Sequence, residues 1–340
     1  MNMKTRNHKI LDHPILGYFL LMIFSFIVLS IASSLIDTKL LGSLIPGYAN
    51  KTVVYGREIL HANGLGDAVG SVLTIGLFYI WFRPSFDGML KKKYFLQGLI
   101  FLAPVLLIHW AGSIVSWTQF GTGSVFLAFL KAFAPGFGEE TAFRGLGMAN
   151  YLRKVRTEKG VVTIFWLSSI VFGLAHVANA LAGAPLLISI GQAAYAAGMG
   201  MILGAVYLRT GNLWPTILGH MSVDFMEFIR GDLGSSGGIM ANIGVGDWIT
   251  IVAGVIGIIL GLYLIRPSKR GEILDLWKTK WSCSVVKSKG RTFALPSGES
   301  ETNYSLVDDF SPFQSLKIKF FFIKYLENNQ KGSSYIYNER

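Results

Sequence analysis

The sequence predicts an all-α fold, a polytopic transmembrane bundle of about eight spanning helices with both termini cytoplasmic. Three observations carry this. The 340 residues are 51% hydrophobic and only 15% charged, with mean hydropathy +0.47, too apolar for an ordinary soluble domain. Apolar runs long enough to cross a bilayer recur along the chain. The basic residues cluster between those runs, as in cytoplasmic loops. The net charge of +11 therefore does not read as a nucleic-acid footprint, and no nucleic-acid partner is expected.

The elements follow in order. Residues 1–14 form a cytoplasmic N-terminus with Lys4, Arg6 and Lys9. Residues 15–36 are uncharged and lack a small-residue cleavage site, so they read as a retained first helix rather than a signal peptide. Further spans are expected at 66–82, 95–117, 161–179, 187–208, 214–229 and 248–265. An eighth, roughly 125–152, is interrupted by Lys131, Pro135, Glu139, Glu140 and Arg144. It must cross, because otherwise either the Arg83, Lys91, Lys92 and Lys93 cluster or the Arg153, Lys154, Arg156 and Lys159 cluster would fall outside. Lys39, Lys51 and Arg57 sit on the outer side against the rule. Gly200 with Gly204 and Gly257 with Gly261 have the small-residue spacing that lets helix backbones approach in lipid. Residues 271–340 change to a charged, Ser- and Asn-containing composition and read as a poorly ordered cytoplasmic tail; the basic aromatic stretch at 317–326 could touch a membrane surface. Cys283 has no partner for a disulfide or a thiolate metal site.

Ionisable groups inside the spans are few. No charge occurs from Val161 to Leu208, and only Lys131 from Tyr94 to Gly138. A charge facing lipid at a helix centre costs roughly 2.5–3.5 kcal/mol or more, so those present face inward. Glu140 and Arg144 are four apart and share a face, whereas Glu139 is rotated about 100° away and has no cation on its own helix. Glu140 thus reads as a structural ion-pair partner and Glu139 as a free carboxylate, a usable general base. His220 and Asp224 are also four apart, and His176 supplies an imidazole from another helix. Two histidines and acids from three helices make a possible zinc-type shell with a position open for water. His109 reads as a hydrogen-bonded packing residue. From spacing alone, a proton-coupled transporter and a protease are not separated. With ideal helices Glu139 lies about 20 Å from the Arg153 end and His220 about 9 Å from the Trp214 end, so a tilt or a deeper helix start is needed for them to meet.

The residues resemble a known family. "EETAFR" is similar to the EExxxR motif, "FGLAH" (Phe172 to His176) to FxxxH and "HMSVD" (His220 to Asp224) to Hxxx(N/D) of the CPBP intramembrane proteases, the group containing CAAX prenyl protease 2, the Ras-converting enzyme. The motif core spans about residues 125–230 of a transmembrane domain at 15–270. The resemblance implies a membrane-embedded endopeptidase acting on a membrane protein or lipidated peptide at the bilayer. It makes Glu139 the activator of water, His176 and His220 ligands of a divalent metal, most simply zinc, or oxyanion stabilisers, Asp224 the support of His220 or a further ligand, and Arg144 the holder of Glu140. A metal-free mechanism competes with the metal one. The alternative is a non-catalytic membrane protein of the same fold, acting in bacteriocin self-immunity or binding a regulatory partner.

Overall fold

The computed structural model describes residues 10–45, 50–54, 57–61, 64–82, 92–180, 186–231 and 244–286. Lys4, Arg6 and Lys9, the 83–91 stretch, the side chains of Lys92 and Lys93, the thiol of Cys283 and the 317–326 stretch lie outside them.

The fold is an all-α membrane bundle, as expected. Its helices are α1 (Pro14–Ser33), α2 (Leu65–Phe82), α3 (Lys92–Phe120), α4 (Val125–Lys131), α5 (Ala149–Lys154), α6 (Glu158–Val177), α7 (Leu186–Thr210), α8 (Trp214–Phe228), α9 (Val245–Leu264) and α10 (Pro267–Val286). Five continuous helices are long and apolar enough to cross a membrane: Pro14–Leu44, Tyr94–Phe120, Glu158–Val177, Ser189–Thr210 and Val245–Leu264. The other three predicted crossings are shorter or broken. The apolar part of α2 ends at Ile80, α8 has 15 residues, and the 125–152 segment divides into α4, two wide-turned π-helical stretches at Ala134–Glu139 and Thr141–Met148, and α5. Within the loop expected between Asp37 and Asp67, Asn50–Val54 and Arg57–His61 pair as an antiparallel hairpin, Asn50 opposite His61.

Small residues set the packing. Gly257 and Gly261 of α9 approach Gly198 and Met201 of α7 backbone to backbone, the close contact their spacing predicts. The other pair behaves differently. Gly204 meets nothing nearby, and Gly200 makes room for Phe172 and the Arg144 guanidinium, so that spacing serves the buried charge rather than a helix crossing. Arg153 and Lys154 grip Asp12 at 2.7 and 3.3 Å, tying the start of α1 to the end of α5.

The opening of the expected tail is structured instead. Residues 271–286 belong to α10, which buries Ile273, Leu274, Trp277 and Trp281. These positions fall at i, i+1, i+4 and i+8, an apolar helical stripe inside a charged sequence. The helix covers the turn between α7 and α8: Trp277 Nε1 donates to Leu208 O at 3.0 Å and Lys280 Nζ to Gly211 O at 2.6 Å. Gly211 has φ +61°, the left-handed conformation a glycine adopts without strain.

Candidate active site

The π-helical stretch carries the first motif. Ala134–Glu139 winds around Pro135 and two glycines, where backbone bonding is least constrained, and π turns recur at functional sites. Gly136 is buried against α8: a Cβ there would lie 2.6 Å from Met221 Cβ and 3.1 Å from Ile217 O. Gly145 receives the Leu213 side chain, with 3.0 Å to an added Cβ. The chain 136–145 therefore runs antiparallel to α8, and α8 begins deep, at the level of Gly145 rather than of Arg153. That resolves the depth mismatch between Glu139 and His220 by the deeper helix start, placed at Trp214 rather than after Pro135.

Five of the six predicted residues form one connected cluster or its edge. Arg144 donates from one terminal nitrogen to Glu140 Oε1 at 2.8 Å and from the other to Gly200 O at 3.2 Å; its guanidinium carbon lies 4.3 Å from the centre of the Phe172 ring. Arg144 and Glu140 are fully buried. His220 Nδ1 stands 3.0 Å from the same Glu140 oxygen, and its Nε2 stands 3.3 Å from Asp224 Oδ2. Glu140 is therefore a junction of Arg144 and His220, more than the partner of Arg144 that spacing indicated. Phe172 packs edge-on against His220 at 5.6 Å and beside His176 at 5.2 Å, joining the second motif to the third.

Glu139 lies beside this cluster. Its charged neighbours include His220, His176, Asp224 and Glu140, from three helical segments. Its Oε2 is buried and has no hydrogen-bond partner among the described residues. An orphaned buried acceptor is rare unless it has a task.

The two histidines differ in state. His176 Nδ1 faces Phe172 O at 2.9 Å. A carbonyl only accepts, so Nδ1 donates, and Nε2 keeps a lone pair in the neutral ring. Both nitrogens of His220 face carboxylate oxygens, which also only accept, so both are donors and no lone pair is presented. In this arrangement His220 does not fit the role of metal ligand. Among the described residues, no group of three His, Cys, Asp or Glu is placed to hold a metal ion.

Sequence reasoning missed Asp67. Asp67, on the first turn of α2, is a charged neighbour of Glu139 and of Asp37, and its Cβ would lie 3.6 Å from a Cβ added at Gly138. Asp37 accepts from Gly66 N at 2.9 Å and Ser33 at 2.9 Å, capping α2 across the fold. An aspartate on the first turn of an apolar run looks like helix capping, which hides it. His109 is hydrogen-bonded, as expected, though its partners include Tyr195 and Glu227.

Residues 120–226, about a third of the chain, match the family model described as Type II CAAX prenyl endopeptidase Rce1-like. That stretch contains Glu139, Glu140, Arg144, His176, His220 and Asp224, and at family level it supports the likeness to CAAX-type intramembrane proteases, in a multi-pass membrane protein. No curated protein and no solved structure matches the chain.

Proposed function

We propose that the chain is an intramembrane endopeptidase that hydrolyses a peptide bond of a lipidated, membrane-associated protein or peptide, with Glu139 as the base. The observation that carries this reading is the buried, unpartnered Glu139 oxygen beside a histidine whose two N–H groups are fixed by carboxylates.

Glu139 takes a proton from water, and the water oxygen bonds to the scissile carbonyl carbon. Positive charge on His220, steadied by Glu140 and Asp224, faces the developing oxyanion. His176 Nε2, with its lone pair, orients the water by accepting a hydrogen bond from its second O–H, which stays on the oxygen. Glu139 then returns its proton to the leaving nitrogen as the C–N bond breaks. No step passes through a metal, because His220 has no lone pair to give one.

The substrate class follows from what flanks the site. An apolar cavity of about 270 Å³ opens between α2 and the start of α8, lined by Val72, Ile75, Tyr79, Phe137, Trp214 and Ile217. Phe137 is two residues from Glu139 and Ile217 three from His220. A prenyl or acyl chain seated there would bring the peptide beside its attachment point to Glu139, in keeping with the prenyl endopeptidase likeness.

The test uses purified protein in lipid nanodiscs and a fluorogenic peptide whose farnesylated cysteine is followed by three residues. Cleavage by wild type, lost in Glu139→Gln with unchanged melting temperature, is the expected result. Full turnover in Glu139→Gln would overturn the assignment.

A further inference from the structure

A second hydrogen-bonded chain lies beside the site. Glu227 Oε1 accepts from Ser113 Oγ at 3.0 Å and lies 3.3 Å from His109 Nε2. His109 Nε2 also faces Val223 O at 3.3 Å, and its Nδ1 stands 3.0 Å from the Tyr195 hydroxyl. His109 is almost completely buried, and its ring stacks on that of Tyr195, centroids 6.5 Å apart.

In the neutral His109 ring the order of donors follows from the acceptors it faces. Nε2 faces a carboxylate and a carbonyl, both acceptors, so it carries the proton; Nδ1 then holds the lone pair and receives the Tyr195 hydrogen. The Tyr195 oxygen is left with its lone pairs unspent, an acceptor whose own proton is turned away.

Tyr195 stands at the level of the reaction. Gly200 of α7 meets Phe172 and Arg144. At about 1.5 Å per residue, Tyr195 lies about 7.5 Å outward of that contact along α7 and His176 about 6 Å outward along α6. Asp224 lies one turn outward of His220. Asp224 and Glu227 are the charged neighbours of the Tyr195 hydroxyl. Around it α7 reads "GQAAYAAGMG", so Tyr195 is the one aromatic side chain in this stretch, flanked on each side by two alanines.

A peptide entering a water-poor site loses the water that satisfied its backbone N–H groups, and each one left bare costs several kcal/mol. Taking the endopeptidase reading as given, we propose that the Tyr195 oxygen, fixed as an acceptor by Glu227 and His109, receives a backbone N–H of the substrate downstream of the scissile bond. Tyr195 is then a substrate-binding residue, and His109 and Glu227 position it. No atom changes hands in this contact.

The experiment measures kcat and KM with the farnesylated probe and with two analogues N-methylated at the second or third residue after the cysteine. Tyr195→Phe, which keeps the ring, is expected to raise KM about five- to tenfold, the fold-change of one neutral hydrogen bond, with kcat unchanged. One N-methylated analogue raises KM similarly in wild type and causes no further loss in Tyr195→Phe. His109→Ala raises KM like Tyr195→Phe, and the double variant is no worse. Wild-type KM in Tyr195→Phe, or equal penalties from both methyl groups in wild type and variant, overturns the proposal. Glu139→Gln, run alongside, separates the two readings: its full activity sinks the endopeptidase function, whereas its inactivity beside an unaffected Tyr195→Phe sinks only the role of Tyr195.

Discussion

His220 Nδ1 shares a single oxygen, Glu140 Oε1, with Arg144: the imidazole nitrogen stands 3.0 Å from it and the guanidinium nitrogen 2.8 Å. One carboxylate thus fixes the third motif to the first and holds two donors on different helices. The second glutamate of the pair organises the site, and the first is left free to act in it.

Arg144→Met is therefore expected to destabilise the protein by up to about 3–5 kcal/mol, the penalty for removing one partner of a buried ion pair, with His220 still on Glu140 Oε1. The thermal midpoint in nanodiscs reads this directly. Replacing both partners, Arg144→Met with Glu140→Gln, should recover part of the loss because the buried carboxylate that lost its guanidinium is gone. A single variant that melts like wild type would show that His220 holds Glu140 without the guanidinium.

Gly136→Ala should lower both stability and turnover. The new methyl group would lie 2.6 Å from Met221 Cβ, one residue beyond His220, so α8 has to move away from the π-helical stretch. Overpacking of this kind costs about 1–3 kcal/mol, and an ångström of displacement at the His220 side degrades catalytic geometry. Unchanged kcat in Gly136→Ala would mean that this contact does not set the distance between Glu139 and His220.

Much of this site was legible in spacing. Glu140 with Arg144 and His220 with Asp224 follow from helical periodicity, and the scarcity of other charge set Glu139 and His176 apart. What spacing within one helix cannot express is the cross-helix bond from Glu140 to His220, or the reach of Asp67 toward Glu139. Those depend on where α8 starts, which is set by the buried Asn212 and Leu213 turn and by α10 above it. The apolar stripe of α10 was present in the sequence, but its charged average concealed it, and the π turns at Ala134–Glu139 left no periodic signature.

Metal dependence separates two chemistries at the same residues. With both His220 nitrogens donating to carboxylates, turnover of the farnesylated probe is expected to survive exhaustive treatment with EDTA and 1,10-phenanthroline, and metal analysis of the active protein should give less than one equivalent. Loss of activity on chelation, restored by zinc but not by magnesium, would require His220 to release Asp224 or Glu140 and turn a lone pair inward.

The last prediction concerns Lys280, outside the spanning helices. Its Nζ donates to Gly211 O and lies 4.9 Å from the Trp277 ring centre and 5.9 Å from that of Tyr207. Burial lowers its ammonium from 10.5 to about 7. Between those values the unfolded chain carries a proton that the folded chain lacks, so stability rises as pH increases from about 7 towards 10.5. Below pH 7 both states are charged, and the folded one bears the full desolvation penalty. Melting temperatures at pH 6.5 and 9 should therefore differ more for wild type than for Lys280→Met, which has no titrating group and keeps the apolar stem. At pH 6.5 the variant should match or exceed wild type, less whatever the bond to Gly211 contributes. Because both proteins share every other titrating side chain, the difference isolates Lys280. Identical pH dependence in the two would place its ammonium in water, with α10 lifted from the turn that leads into His220.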